Sequence, residues 1–444
     1  MPNTKIRTRF APSPTGLLHI GNLRSALYAY ALAKHSKGDF ILRIEDTDQK
    51  REVAGVTQLL QNTLKKFGLN WDEYYVQSER QKAGIYQKAA EKLLAAGHAF
   101  YCNCEGRNSQ KDGYSTVLRD PCRDKKLSSG AIKLKVPGGK IVSYVDFVHR
   151  KEISWNTDTV YDATLLKTDG FPTYHLAAMV DDLDMQISHI LRGHDWLPST
   201  PIHLLVLEYL GGVRPEIGHL TDILSATTGK KLSKRRDSVF CEQFLEMGYL
   251  PEALLNFIML LGWAPKDNRE LYTLEEFVAS FDPKGFQEAN PRFLDDKLKW
   301  FNGHYLRLLP DNDLLQLIKE QYPAVSEDLL LKIIPLAKER IRLVSDFDAL
   351  CSFFFSPPGK LTLSADDQKY LSLAKDILSS VTMEKTTIES SLVSAVTKNG
   401  WKNGPFFAAL RLAITGKPVS PPLTESMIIL GKEEVLKRLD TQLL

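Results

Sequence analysis

No uninterrupted apolar stretch in these 444 residues approaches the roughly 20 needed to cross a bilayer, so a membrane-spanning helix is not expected. The longest apolar segment, Ala253 to Trp263, is broken by Asn256 and reads as a buried helix. Low-complexity tracts and a strongly repeated unit are also missing, which argues against a disordered chain or a repeat array. There is little net charge: 57 Lys and Arg are nearly balanced by 54 Asp and Glu, leaving +3. A nucleic-acid partner would therefore be held by local clusters, such as Lys230, Lys231, Lys234, Arg235 and Arg236, and not by a global field. There are five cysteines, three of them crowded between residues 102 and 122, with Cys241 and Cys351 alone. That is no disulfide framework; in a cytosolic enzyme such crowding favours a metal. Strand-like sequence by Ile6 is expected to leave no room for a signal or transit peptide, which makes the cytoplasm the expected location.

What is there is an ordinary globular composition, 43% apolar and 25% charged, in a chain too long for one core. From Lys5 to about Phe100, strand and helix patterns alternate. Ile6, Thr8 and Phe10 alternate as in a strand, Leu23, Leu27 and Tyr30 follow at helical spacing, and Gly38 is expected to cap that helix. Phe40 to Ile44 is a short strand, and a parallel unit of this kind gathers ligands at the carboxyl ends of its strands. Between about Tyr101 and Thr159 the rhythm breaks into cysteines, glycines and strand candidates at Ala131–Val136 and Ile141–Val145, which reads as an insertion. Sheet character resumes at Ile187–Arg192, followed by a helix over Pro201–Leu210 closed by Gly211-Gly212. After Ser238 the chain reads as helical. Thr273 and Glu276 stand at capping-box spacing, Ser326 is expected to cap a long helix running into Ile333 and broken or kinked near Pro335, and Ile341, Val344 and Phe347 extend an apolar stripe. Pro357-Pro358, Gly404-Pro405 and Pro418 to Pro422 are expected to separate the later helices.

Two peptides carry most of the chemistry. The first, Arg9-Phe10-Ala11-Pro12-Ser13-Pro14-Thr15-Gly16-Leu17-Leu18-His19-Ile20-Gly21-Asn22, packs prolines, glycines and a histidine into a strand-to-helix turn. Pro12 and Pro14 fix φ, and Gly21 lets a flat base approach. His19 is placed to donate to phosphates, beside the partial positive charge of a helix N-terminus. The second, Lys231-Leu232-Ser233-Lys234-Arg235, is a basic, hydroxyl-bearing loop in which Lys234 suits a cation that follows moving triphosphate charge. Alone, the first would read as a Pro/Gly turn and the second as a solvated basic turn. Together they are a pair of surfaces for a nucleoside triphosphate.

These peptides, with the Ala11-Pro12-Ser13-Pro14-Thr15-Gly16 lead-in and Arg43-Ile44-Glu45-Asp46-Thr47-Asp48, resemble the signatures of class I aminoacyl-tRNA synthetases. Within that class the chain is similar, over nearly its whole length, to bacterial glutamyl-tRNA synthetases. The resemblance implies a Rossmann-type α/β catalytic domain over 1–100 and 160–238, split by an acceptor-stem and zinc-binding insertion over 101–159. A stem-contact helical domain over 239–309 and an all-α anticodon-binding region over 310–444 would follow. It implies ATP-dependent activation of L-glutamate and transfer to tRNA-Glu by a monomer, with Mg²⁺ and no membrane. Catalytic roles fall on His19 and Lys234. Glutamate contacts fall on Arg9, Ala11, Ser13, Glu45, Tyr174 and Arg192, and ATP contacts on His19, Gly21, Trp196, Lys231, Ser233, Lys234 and Arg235. Arg9 is expected to fork onto the substrate's side-chain carboxylate and Glu45 to hold its ammonium, although Arg43, Glu45 and Asp48 read equally as a structural ion network. Two positions depart from family patterns: Asn22 ends the His-x-Gly motif, and Ala178 replaces a residue that is polar in some members. Some members hold zinc through three cysteines and a nearby ligand, which implies structural Zn²⁺ on Cys102, Cys104, Cys122 and Asp124, with Tyr114 or water as alternatives to the aspartate. Three reduced, partly buried thiols are the alternative to a metal. Rival functions are a glutaminyl-tRNA synthetase, expected to carry C-terminal β-barrels, a short paralogue that glutamylates a tRNA base, a generic nucleotidyltransferase, and a non-catalytic tRNA-binding paralogue.

Overall fold

The computed structural model describes residues 5–48, 50–51, 53–104, 118–232 and 239–444. Ser233, Lys234 and Arg235 of the basic loop, and Tyr114, lie outside these residues. The chain divides into two compact units, one formed by residues up to Phe244 with Leu255–Leu294, the other by Leu245–Leu254 with Asp295–Leu444.

The first unit is built on parallel strands. Strands β1 (Arg7–Phe10), β2 (Asp39–Ile44) and β3 (Glu73–Val76) pair in parallel, Phe10 opposite Leu42 and Ile44 opposite Val76. Strand β4 (Ala99–Cys102) pairs antiparallel with β5 (Ala131–Leu134), which pairs in turn with β8 (Thr164–Leu166). A further ladder runs β7-β6-β10-β9, with β6 at Ile141–Asp146, β7 at Lys151–Asn156, β9 at His189–Gly193 and β10 at Glu216–Leu220. There β10 is parallel to both β9 and β6, so β6, inside the expected insertion, reaches the main parallel layer. A hydrogen bond from Ser188 N to Arg7 O (2.9 Å) sets the start of β9 beside β1. The helices Tyr174–Asp184 and Thr200–Leu210 are buried over most of their length and share a core with Ile41, Ile190 and Ile217. Such all-round burial is what a parallel sheet covered by helices requires.

The helix after the first motif, Ile20–His35, ends at Ser36. Lys37, not Gly38, takes the left-handed turn (φ 57°), while the Gly38 N–H closes the helix end on Ala33 O (2.8 Å). What requires a glycine there is close backbone approach at the strand start, since a Cβ at Gly38 would lie 1.9 Å from Ile6 O. Gly211 and Gly212, both at positive φ, close Thr200–Leu210 as the sequence suggests. The segment from Ala253 is helical only to Met259, after which Trp263 pairs with Phe286 as an isolated bridge. A two-residue strand at Arg292–Phe293 also interrupts the expected helical run.

The second unit is helical, with a core over Leu371, Leu392, Phe406, Leu410, Met427 and Leu439. Ser326 caps Glu327–Lys338, a helix that continues through Pro335. Ile341 and Val344 are buried but lie on an irregular connection, so the apolar stripe does not belong to one helix. Gly404-Pro405 sits in the first turn of Asn403–Thr415 and does not separate helices, since proline is tolerated where the N–H has no partner within the helix. In the first unit, Thr273 and Glu276 form the anticipated capping box.

Candidate active site

The first motif leaves β1 and turns into the helix Ile20–His35 with His19 at its N-cap. Pro12 and Pro14 are held against the next strand's exit, Pro12 O accepting from Glu45 N (3.0 Å) and Pro14 O from Val53 N (3.1 Å). His19 Nδ1 accepts from Gly21 N at 2.9 Å, so a neutral ring carries its proton on Nε2. A Cβ on Gly21 would meet that Nδ1 at 3.2 Å, which couples the glycine to the histidine's placement. Under the helix, buried Arg24 donates to Thr221 O and Leu261 O, and Tyr28 donates to Leu261 O. Arg24 is a site residue that the sequence patterns did not expose.

Two cavities open along this face. One, of about 170 Å³, is lined by His19, Gly21, Arg24, Trp196, Asp222 and Lys231 among others. The other, of about 320 Å³, is lined by Ser13, Glu45, Arg51, Lys167, Tyr174 and Trp196 among others. Trp196 borders both, and its ring lies 4.1 Å from that of Tyr174. Lys231 is held by Asp195 (2.6 Å) and Asp222 (2.9 Å). Burial works against its charge, but these carboxylates prevail and raise its pKa.

Arg9 and Arg192 line neither cavity surface. Both are buried, Arg9 on β1 and Arg192 on the neighbouring β9. Arg9 donates through Nε and Nη2 to Asp182 (3.1 and 3.4 Å) and through Nη1 to Leu191 O (3.4 Å). Arg43 donates to the same Asp182 (2.7 Å) and to Glu45 (2.9 Å). Glu45 thus has the ion pair with Arg43 that its sequence context allowed while still lining the larger cavity, whereas Asp48 pairs with Arg51 and stands outside that network. Burial raises its pKa, with Arg43 and Arg9 opposing. Burial raises the Tyr174 phenol, and the fields of Arg192, Glu45, Arg9 and Asp182 all reach it, so these groups converge behind one cavity wall. Asp181 and Asp182 escaped the sequence reading. Their signal was two adjacent acids inside the apolar run from Leu176 to Leu183, a sign of buried ion pairing. Ala178 is buried in the same helix and contributes no polar group. Ala11 is partly buried and Ser13 exposed at the turn.

In the insertion, Cys102, Cys104, Cys122 and Asp120 bring one ligand atom each to within 4.8 Å of one another. Cys104 Sγ lies 3.2 Å from Cys122 Sγ, and the Asp120 carboxylate 3.3 Å from Cys102 Sγ. Ligands about 2.3 Å from a tetrahedral metal are spaced about 3.7 Å apart, so the set fits a zinc ion. Asp124 does not join it: its side chain is 84% exposed and pairs with Lys135. Asp120 takes that place because its Oδ1 accepts from Cys122 N (2.8 Å), which folds the Asp-Pro-Cys turn towards the thiols. Gly130 permits this crowding, since its φ is +128° and a Cβ there would lie 2.5 Å from Cys102 O.

A family model for tRNA synthetases class I (E and Q), catalytic domain, matches residues 5–300, and one for an anticodon binding domain matches 312–443. A glutamate–tRNA ligase of Finegoldia magna is 36% identical, covering 99% of each chain. One from Listeria welshimeri is 35% identical over 100% of this chain and 99% of its own. The crystal structure of a glutamate tRNA ligase from Elizabethkingia meningosepticum in complex with its amino acid superposes with a TM-score of 0.88 at 34% identity, covering 98% of each.

Proposed function

We propose, from the premise that this chain belongs to the glutamate–tRNA ligases of class I, that the two cavities meeting at Trp196 hold ATP and L-glutamate for adenylate formation. The chain is an aminoacyl-tRNA-forming ligase with a class I catalytic domain followed by a helical anticodon-binding domain. The observation that carries the site reading is the shared Trp196 wall. It would set the α-phosphate of ATP beside His19 and the amino acid's α-carboxylate beside Glu45, within reach of each other.

A carboxylate oxygen of glutamate attacks the α-phosphorus; that P–O bond forms as the bond to pyrophosphate breaks. The enzyme needs no nucleophile of its own. Its contribution is alignment and stabilisation of phosphate charge. His19 Nε2–H donates to the phosphates, Gly21 and Trp196 frame the base, and Lys231, Ser233, Lys234 and Arg235 cover the triphosphate. Glu45 holds the ammonium, with Ala11 and Ser13 framing it, while Tyr174, Arg9 and Arg192 face the carboxylates. Magnesium, when bound with ATP, offsets phosphate charge. The terminal ribose hydroxyl of tRNA-Glu then attacks the mixed anhydride, releasing AMP. Residues 101–159 would contact the acceptor stem, 239–309 the tRNA stem and 310–444 the anticodon, around a catalytic domain of 1–100 and 160–238. Cys102, Cys104, Cys122 and Asp120 would hold zinc, which supplies a structural crosslink within the insertion.

The test is charging of tRNA by purified protein with labelled glutamate and ATP. Glutamate-dependent, ATP-dependent charging is expected. Charging by glutamine with equal kcat/KM would overturn the assignment.

A further inference from the structure

Arg192 is surrounded by an acceptor shell that no motif announces. Its Nε lies 3.0 Å from His219 Nε2, its Nη1 2.8 Å from His203 Nδ1, and its Nη2 2.8 Å from Thr200 Oγ1. His203, His219 and Thr200 are all fully buried. Behind them, His219 Nδ1 faces Asp146 Oδ2 at 2.8 Å, which also accepts from the Tyr144 hydroxyl (2.9 Å). His203 Nε2 faces His175 Nδ1 at 3.1 Å, and His175 Nε2 faces the Tyr161 hydroxyl at 3.5 Å.

A guanidinium only donates, so it fixes every proton in this shell. His219 Nε2 must accept; its proton therefore sits on Nδ1 and goes to Asp146. His203 Nδ1 must accept as well, so its proton sits on Nε2 and goes to His175 Nδ1. His175 then carries its own proton on Nε2, facing Tyr161. All three imidazoles are neutral. Arg192 spends three of its five N–H groups on this shell and keeps one on each Nη nitrogen, the pair that a carboxylate takes as a fork.

We propose that His203 and His219 are positioning residues that orient the Arg192 guanidinium for the carboxylate of the amino acid while, among the described residues, no carboxylate pairs with it directly. The nearest carboxylate of the shell, Asp146, is one imidazole removed. The inference rests on the reading of Arg192 as a substrate contact. Burial, reinforced by the Arg192 charge, holds His203 well below its ordinary range and His175 at about 4. Burial also brings His219 to about 4, against the pull of Asp146 and with Arg192 and His194 assisting. Arg9 adds a weaker repulsion at His203.

The experiment compares glutamate KM, ATP KM and thermal midpoint for full-length variants. Arg192→Gln should raise glutamate KM by about 10²-fold, the effect of losing charged hydrogen bonds. His203→Leu and His219→Leu should each raise it by about tenfold while leaving ATP KM within about twofold. His203→Asn and His219→Gln put an amide oxygen where Nδ1 or Nε2 stood, and should recover most of the loss. A purely structural role would lower the thermal midpoint without separating the two KM values or responding to the amide replacements. Nitrogen-15 spectra of histidine-labelled protein at pH 6.5 give a readout independent of folding defects in variants. They should show His219 protonated on Nδ1, and His203 and His175 on Nε2, all neutral. A charged ring, an opposite tautomer, or leucine variants with unchanged glutamate KM would overturn the positioning role. Unchanged KM in Arg192→Gln would instead remove Arg192 from the substrate site, and the positioning role with it.

Discussion

Two buried arginines on adjacent strands solve the same problem in opposite ways. Arg9 lies against a carboxylate, Asp182, within a cluster that also contains Arg43, Glu45, Asp181 and Arg80. Arg192 lies against two imidazoles and a hydroxyl, with the carboxylate of Asp146 one residue further away, behind His219. Burying a charge is costly unless it is paired or hydrogen-bonded. Asp182 meets that cost at Arg9 by neutralisation, which leaves less field for a ligand. The neutral shell of Arg192 meets it with hydrogen bonds alone and keeps the positive field for an incoming anion. Arg9 therefore has a large structural share in a role first assigned to substrate binding, while Arg192 is the better-kept cation.

Removing the shared carboxylate should break this contrast most strongly. Asp182→Asn leaves Arg9 and Arg43 without their common anion, and breaking a buried pair costs about 3–5 kcal/mol. Urea unfolding at neutral pH measures it. A loss below about 1 kcal/mol, the usual range of exposed pairs, would mean that the cluster is not the ion network described.

Acid should act on the histidine shell of Arg192 instead. The three shell histidines have lowered pKa values in the folded protein, so the unfolded chain takes up protons first as pH falls from about 6.5 towards 4. Their contribution is fully present above the unfolded value and is lost through this window, on the order of 1 kcal/mol or more per histidine by pH 5. Denaturation at pH 7 and pH 5 checks the sign, and His203→Asn should flatten the slope. Asp146, whose pKa is lowered by the bonds from His219 and the His149 backbone against its own burial, adds its loss at more acidic pH.

How much of this was legible in the sequence follows from distance along the chain. Local signals read well: the strand ending at Phe10, the Thr273–Glu276 box and the glycine pair after Leu210 depend on neighbours within a few residues. Gly38 was misjudged because its constraint is the backbone of Ile6, which only the folded sheet brings close. Asp182 meets Arg9 across 173 residues, and Asp146 meets His219 across 73. No periodicity encodes such pairings. The metal ligands failed in a subtler way, since Asp124 and Asp120 both flank Cys122 and only the turn geometry selects Asp120.

That selection provides a smaller test of how a buried carboxylate is used. Asp120 pairs with Lys133 at 2.6 Å while facing the thiols, whereas Asp124 is exposed. Purified protein should hold about one zinc, as a single four-ligand cluster would. Asp124→Asn should leave that content unchanged, and Asp120→Asn and Cys122→Ser should lower it, by elemental analysis. Equal zinc loss in both aspartate variants would remove the assignment of Asp120.

The contrast between the two arginines is tested most directly by measuring glutamate KM and urea unfolding together for Arg192→Gln and Asp182→Asn. Arg192→Gln should raise glutamate KM about 10²-fold while costing clearly less stability than Asp182→Asn, because it removes a charge held for a ligand and its amide can still donate to part of the neutral shell. Asp182→Asn should do the reverse in stability. If Arg192→Gln instead leaves glutamate KM untouched and costs as much stability as Asp182→Asn, both arginines are structural and no cation was reserved for the substrate.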